Sequence, residues 1–203
     1  MTDAEDDTSF NRRPFATMTL LSNKRFGSPF LDEEGEGGGR LMLDSVFRME
    51  LPTRDRKDAL CVKINAPAAS GEVFRPLNVH FDSRDAQFRR TPQIVELFAL
   101  LREARCRGGT IAGDFSEKPP YDHRIVDENK LIDAWVALHG STPLDGEPWA
   151  VSVKLEDGMK AGRLGKVLMS GLEPDEIEVL RPSLVGADRP WSDRCGLRCT
   201  FTI

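Results

Sequence analysis

The run from Thr91 to Gly109, TPQIVELFALLREARCRGG, limits the fold more than any other stretch, because it reads as an amphipathic helix that needs a surface to bury it. Thr91 can cap the first free N–H groups, and Pro92 suits the first helical position, where its missing donor costs nothing. Ile94, Leu97, Phe98, Leu101 and Ala104 follow at helical spacing and share one face, with Glu96, Glu103 and Arg107 opposite. Gly108 and Gly109 read as the end of the helix. Burying Leu97, Phe98 and Leu101 is worth about 1.5–3 kcal/mol each, so a second layer of structure is expected against this face.

That layer is written on both sides of the helix in period two. LMLDSVFRME is an expected strand; LCVKIN puts Leu60, Val62 and Ile64 on one face, and PLNVHF does the same with Leu77, Val79 and Phe81. PTRDRKD and NAPAASGE between them are rich in turn formers, which suggests an antiparallel meander. After the helix, GTIAGDF is a short strand and SEKPPYDHR a loop. A second helix is expected over 128–139, capped by Asp127, with Leu131, Ile132, Trp135 and Leu138 as its buried stripe. WAVSVKLE alternates most cleanly of all, and LGKVLMS, EIEVL and CTFTI are shorter strands. The pattern predicts an α+β fold, a mainly antiparallel sheet or partly open barrel with two packed helices at about 92–107 and 128–139. It forms one domain over 41–203, preceded by an irregular N-terminal arm over 1–40.

The arm lacks periodicity and ends in the glycine-rich acidic LDEEGEGGGR, yet carries Phe10, Phe15, Phe26 and Phe30 beside Arg12, Arg13, Lys24 and Arg25. Aromatics at that density fit an arm that folds back on its own domain, docks on another subunit or partner, or stacks on nucleotides. The net charge of −5 argues against a protein that coats nucleic acid with its whole surface, though not against a local basic patch. No apolar run approaches the ~20 residues that span a bilayer, and the acidic start MTDAEDDTSF is unlike a secretory signal. A cytoplasmic protein without a membrane role is expected. Cys61, Cys106, Cys195 and Cys199 do not suggest a disulfide framework, in keeping with a reducing compartment.

The chemistry-bearing residues form three sets. Arg84, Arg89, Arg90, Arg102, Arg105 and Arg107 gather around the first helix, and Lys160, Arg163 and Lys166 around a later turn; if they share a face they can position a phosphate backbone. Asp114 or Asp122 with Glu128 and Lys130 can be assembled into a metal-dependent nuclease site, although Glu128 in a first helical turn is also explained by the helix dipole. Cys195 and Cys199 with His123 or His80 supply zinc-ligand types, without the second closely spaced pair usual in structural zinc sites. His139 suits the carbonyl end of its helix, and no three histidines and carboxylates define a triad. No catalytic set, metal or cofactor is assigned from spacing alone. The first expectation is a non-enzymatic binding or assembly subunit that engages a protein partner, or itself, through the arm. A nucleic-acid-binding module of oligonucleotide-binding type comes second, and a metal-dependent nuclease or hydrolase third.

Overall fold

The computed structural model describes residues 17–27, 40–52, 57–66, 71–81, 87–115, 121–140, 163–185, 189–190, 192 and 195–202. The meander lies where the alternation places it. Strands β2 (Leu41–Glu50), β3 (Asp58–Asn65) and β4 (Val73–His80) pair antiparallel in sequence order, with β1 (Phe26–Gly27) parallel on the outer edge of β2. Helix α1 (Gln87–Leu101) then crosses over the sheet, and β5 (Cys106–Asp114) returns parallel to β4. A crossover of that length is what a parallel pair requires. Helix α2 (Tyr121–Glu128), the short β6 (Ile132–Asp133) and helix α3 (Ala134–His139) lead to β7 (Gly165–Ser170), antiparallel to both β5 and β6. The result is a seven-stranded sheet in the order β1-β2-β3-β4-β5-β7-β6. Strands β8 (Glu173–Leu180) and β11 (Gly196–Thr202) form a separate antiparallel pair, and β9 (Leu184–Val185) pairs with β10 (Arg189–Pro190).

Both faces of the large sheet are covered. On one, Ile94, Leu97, Phe98 and Leu101 of α1 pack on Cys61, Leu77, Val79, Phe81, Ile111 and Leu168. On the other, Phe74, Val167 and Met169 meet Leu172 and Ile177, with Leu197, Cys199 and Phe201 of β11 packed against them. The chain is therefore a layered sandwich built on a mixed sheet, and the expected antiparallel sheet or open barrel with two helices is corrected. The physical cause is the parallel β4–β5 pair, which the period-two pattern cannot distinguish from an antiparallel one.

The helix limits change as well. The helix expected over 92–107 begins at Gln87 with Pro92 inside it, so neither Thr91 nor Pro92 marks its start. It ends at Leu101, where Arg102 N–H donates to the carbonyls of Phe98 and Ala99. Gly108 and Gly109 belong to β5: a Cβ on Gly109 would stand 2.2 Å from the Arg75 carbonyl oxygen, so the residue is glycine for close strand packing. The helix expected over 128–139 is two helices. Lys130, at φ 56°, takes the left-handed conformation that ends the first, and Asp133 caps the second by accepting from Trp135 N–H and Val136 N–H. Ile132 and Leu138, expected in its buried stripe, are exposed. The expected strand WAVSVKLE lies outside the described residues.

Cys61 sits at the centre of the helix-side core and is 1% exposed. Burial pushes its thiol from 9.0 up to about 12, with Arg75 opposing the shift and Asp58 adding to it. The folded state holds this proton more tightly than the unfolded chain. Its stabilising effect is therefore complete below pH 9 and is lost as pH rises from 9 towards 12, by up to about 1.4 kcal/mol per pH unit. Denaturant midpoints measured from pH 8.5 to 10.5 should fall more steeply for the native sequence than for Cys61→Ala; equal slopes would reject the assignment.

Candidate active site

The alternation that buries one face of β4 fixes what the other face shows. Leu77, Val79 and Phe81 point into the helix-side core, so Asn78 and His80 point to the second face, where Phe74 packs. On β5, Ile111 and Phe115 are in the helix-side core, which turns Ala112 and Asp114 towards that same second face. Parallel pairing sets Asn78 beside Ala112 and His80 beside Asp114. Three polar side chains thereby collect at the carboxyl ends of adjacent parallel strands, the end at which open α/β sheets bind ligands.

His80 Nε2 lies 3.8 Å from Asp114 Oδ2, within ion-pair reach though longer than a hydrogen bond. Both are partly open, at 39% and 23% side-chain exposure, so a ligand can reach them. The backbone around Asp114 is fixed on both sides. Its carbonyl accepts from Phe81 N–H at 2.9 Å, and the next residue, Phe115, donates to the Leu164 carbonyl at 2.8 Å.

One wall of the site comes from residues 17–20. The Asn78 amide donates to the Met18 carbonyl at 2.8 Å and to Thr19 Oγ1 at 3.3 Å. Further along, Arg48 donates to the Thr17 carbonyl at 2.9 Å while pairing at 3.3 Å with Asp58, whose side chain is 1% exposed. A buried pair of this kind holds position at a desolvation cost, so its role is to fix the strap formed by these residues. Cys195 and Leu197 also line the site. It is a groove of about 520 Å³ whose lining includes Met18, Leu20, Asn78, Asp114 and Gly165.

The structure distributes the expected site residues unevenly. Asp114, Lys166 and Cys195 are among the residues that line the groove. Glu128 closes α2, where it binds Arg124 at 2.6 Å, and does not stand in a first helical turn. Cys199 packs beside the second-face core, where burial raises its thiol pKa. Asp122 and His123 are in α2 with side chains outside the described residues. Among the described residues no group of three His, Cys, Asp or Glu could hold a metal ion.

The basic residues are dispersed. Arg102 lies over the Phe98 ring, Arg105 donates to the Gly71 carbonyl at 2.6 Å, and Arg107 pairs with Glu72 at 3.4 Å. Arg105 and Arg107 flank the start of β5, about 25 Å of strand from Asp114 at its other end. Arg163 is committed to Asp133 through bonds of 2.6 and 2.5 Å. Lys166 is 1% exposed and shares the helix-side face of Leu168, its Nζ 6.0 Å from the Phe115 ring centroid. Arg89 and Arg90 are in α1 with undescribed side chains; Arg84, Lys160, Phe10, Phe15 and Phe30 lie outside the described residues. Phe26 is in β1.

Asn78 and the His80–Asp114 pair escaped the sequence analysis as a site. The signal was present: each polar residue ends or interrupts an apolar alternating strand. Only the parallel register brings the two strand ends together.

No protein-family model matches the sequence, and no curated protein is significantly similar to it. Solved structures do resemble it. Danio rerio TDP2, in a complex with single-strand DNA product, is 18% identical with a TM-score of 0.63 over 81% of this chain and 69% of that one. The Bacteroides thetaiotaomicron mannosyl-6-phosphatase is 14% identical, TM-score 0.57, over 80% and 67% of the two chains. An endonuclease/exonuclease/phosphatase from Bacteroides vulgatus is 17% identical, TM-score 0.56, over 79% and 60%. The fold is that of the endonuclease/exonuclease/phosphatase proteins. This overturns the first expectation, a non-enzymatic assembly subunit, which rested on the absence of a legible site. Among the described residues no helix is long and apolar enough to cross a membrane.

Proposed function

We propose that the chain is a phosphoester hydrolase whose substrate is carried on a nucleic-acid strand, with the groove lined by Asn78 and Asp114, and His80 beside Asp114, as its active site. The observation that carries this reading is the convergence of Asn78, His80 and Asp114 on one face at the carboxyl ends of β4 and β5. The fold supports it, since the solved structures with that fold include a phosphatase and a protein bound to a DNA product.

In this reading a water molecule attacks phosphorus, the P–O ester bond breaks, and His80 takes the water's proton. Asp114 orients the imidazole and offsets the positive charge that develops on it, an arrangement worth roughly 10²–10⁴ in rate. The leaving oxygen takes its proton from solvent. Asn78 spends its amide on the strap at Met18 and Thr19, so it shapes the groove wall beside the reacting atoms.

The test is direct. Purified protein is incubated, with and without added magnesium, with single-stranded oligonucleotides bearing terminal phosphoesters, with a sugar 6-phosphate, and with an aryl phosphodiester. Release of phosphate or of the ester-linked group from the oligonucleotide is the expected result. Turnover of the sugar phosphate alone would move the substrate class, and turnover of none would remove the reading.

A further inference from the structure

Four glycines in and around the large sheet are explained by the fold. A Cβ on Gly108, Gly109, Gly113 or Gly171 would approach a backbone oxygen to between 1.9 and 2.6 Å, closer than real side chains come. Gly165 is different. A Cβ there would meet Leu197 Cδ1 at 3.6 Å and the Gly113 carbonyl oxygen at 4.0 Å, ordinary contacts. Its φ is not among the positive values that favour glycine. Neither space nor backbone among the described residues requires a glycine at this position.

The position explains the choice. Gly165 opens β7 directly across from Asp114. It shares a face with Val167 and Met169, both in the second-face core, and therefore faces the groove. Leu197 also lines the groove. A side chain at 165 would grow from the strand position paired with Asp114, starting in contact with Leu197. A glycine in a strand that the fold does not demand marks a place where a ligand comes close to the backbone.

We infer that Gly165 sets the depth of the groove beside Asp114 and determines which phosphoesters reach that carboxylate, an inference that rests on the hydrolase reading. It is a specificity-determining position: it admits a phosphoryl group flush against the β5–β7 backbone, and a side chain there would exclude it.

The experiment compares the native sequence with Gly165→Ala and Gly165→Leu, each by thermal melting and by steady-state kinetics on the oligonucleotide phosphoester. Both variants should melt at or slightly above the native temperature, since replacing glycine reduces the freedom of the unfolded chain. KM should rise several-fold for alanine, and kcat/KM should fall by at least about tenfold for leucine, the scale of an added methylene or more in a binding site. Native-like kinetics for Gly165→Leu would overturn the inference while leaving the hydrolase reading intact. If Gly165→Leu fails to fold, Gly165→Ala decides, and an unchanged KM overturns the inference. A native protein without turnover removes the hydrolase reading and this inference together.

Discussion

Replacing Asp114 by Asn should lower phosphoester turnover by at least about a hundredfold while shifting the melting temperature by no more than about 2 °C. Asn preserves the size of the side chain. It has nearly the shape of Asp, and two bonds at this position run through the backbone: Phe81 N–H to the residue 114 carbonyl, and Phe115 N–H to Leu164. The side chain is partly exposed, so the change buries no unsatisfied group. What is lost is the negative charge 3.8 Å from the His80 imidazole. Without it, the imidazolium formed on accepting a proton loses that counter-charge, and the ring loses a neighbour that orients it. The effect should fall on kcat more than on KM, because the interaction strengthens as charge develops. Kinetics on the oligonucleotide phosphoester, paired with a melting curve, check this. Loss of activity together with loss of the melting transition would mean that Asp114 is structural.

The legibility of this fold follows from which interactions act locally. Leu60, Val62 and Ile64, and Leu77, Val79 and Phe81, announce their strands because burial on a pleated face imposes alternation. Ile94, Leu97, Phe98 and Leu101 announce a helix for the corresponding reason, and all four are buried. The places where the reading failed are those decided by distant neighbours. Gly109 looked like a helix end and is a contact with Arg75 in β4. Glu128 and Asp127 looked like the start of a helix, yet Lys130 closes α2 and Asp133 begins α3, held by Arg163 from thirty residues away. His80, legible in the sequence only as a zinc-ligand type, has its partner Asp114 on a strand reached only after a helical crossover. A pair formed by parallel register leaves no fixed spacing in sequence, so the active-site candidates could be named one at a time but not assembled.

Gly113 shows how tightly that register is built, and Gly113→Ala should destabilise the protein by more than about 4 kcal/mol, a large fraction of the stability of a typical domain. The residue has φ +143°, a conformation that side-chain-bearing residues rarely adopt. Its Cβ would stand 1.9 Å from the Val79 carbonyl oxygen and 2.9 Å from the Val79 carbonyl carbon. Nothing near it can give way cheaply, because Val79 is 2% exposed and lies in β4, paired with β3 on one side and β5 on the other. Relief would require β4 and β5 to separate, at the register that sets His80 beside Asp114. Urea unfolding of the purified variant checks the expectation, with soluble yield as the first readout. A midpoint close to the native value would show that the sheet can open at this point without cost, and that the closeness of His80 and Asp114 is not enforced by the packing of β4 on β5. The contrast with Gly165 on the opposing strand sharpens the outcome: two glycines that face each other's strand across the β5–β7 ladder, within one residue of direct pairing, should respond oppositely, one by unfolding and one by losing substrate.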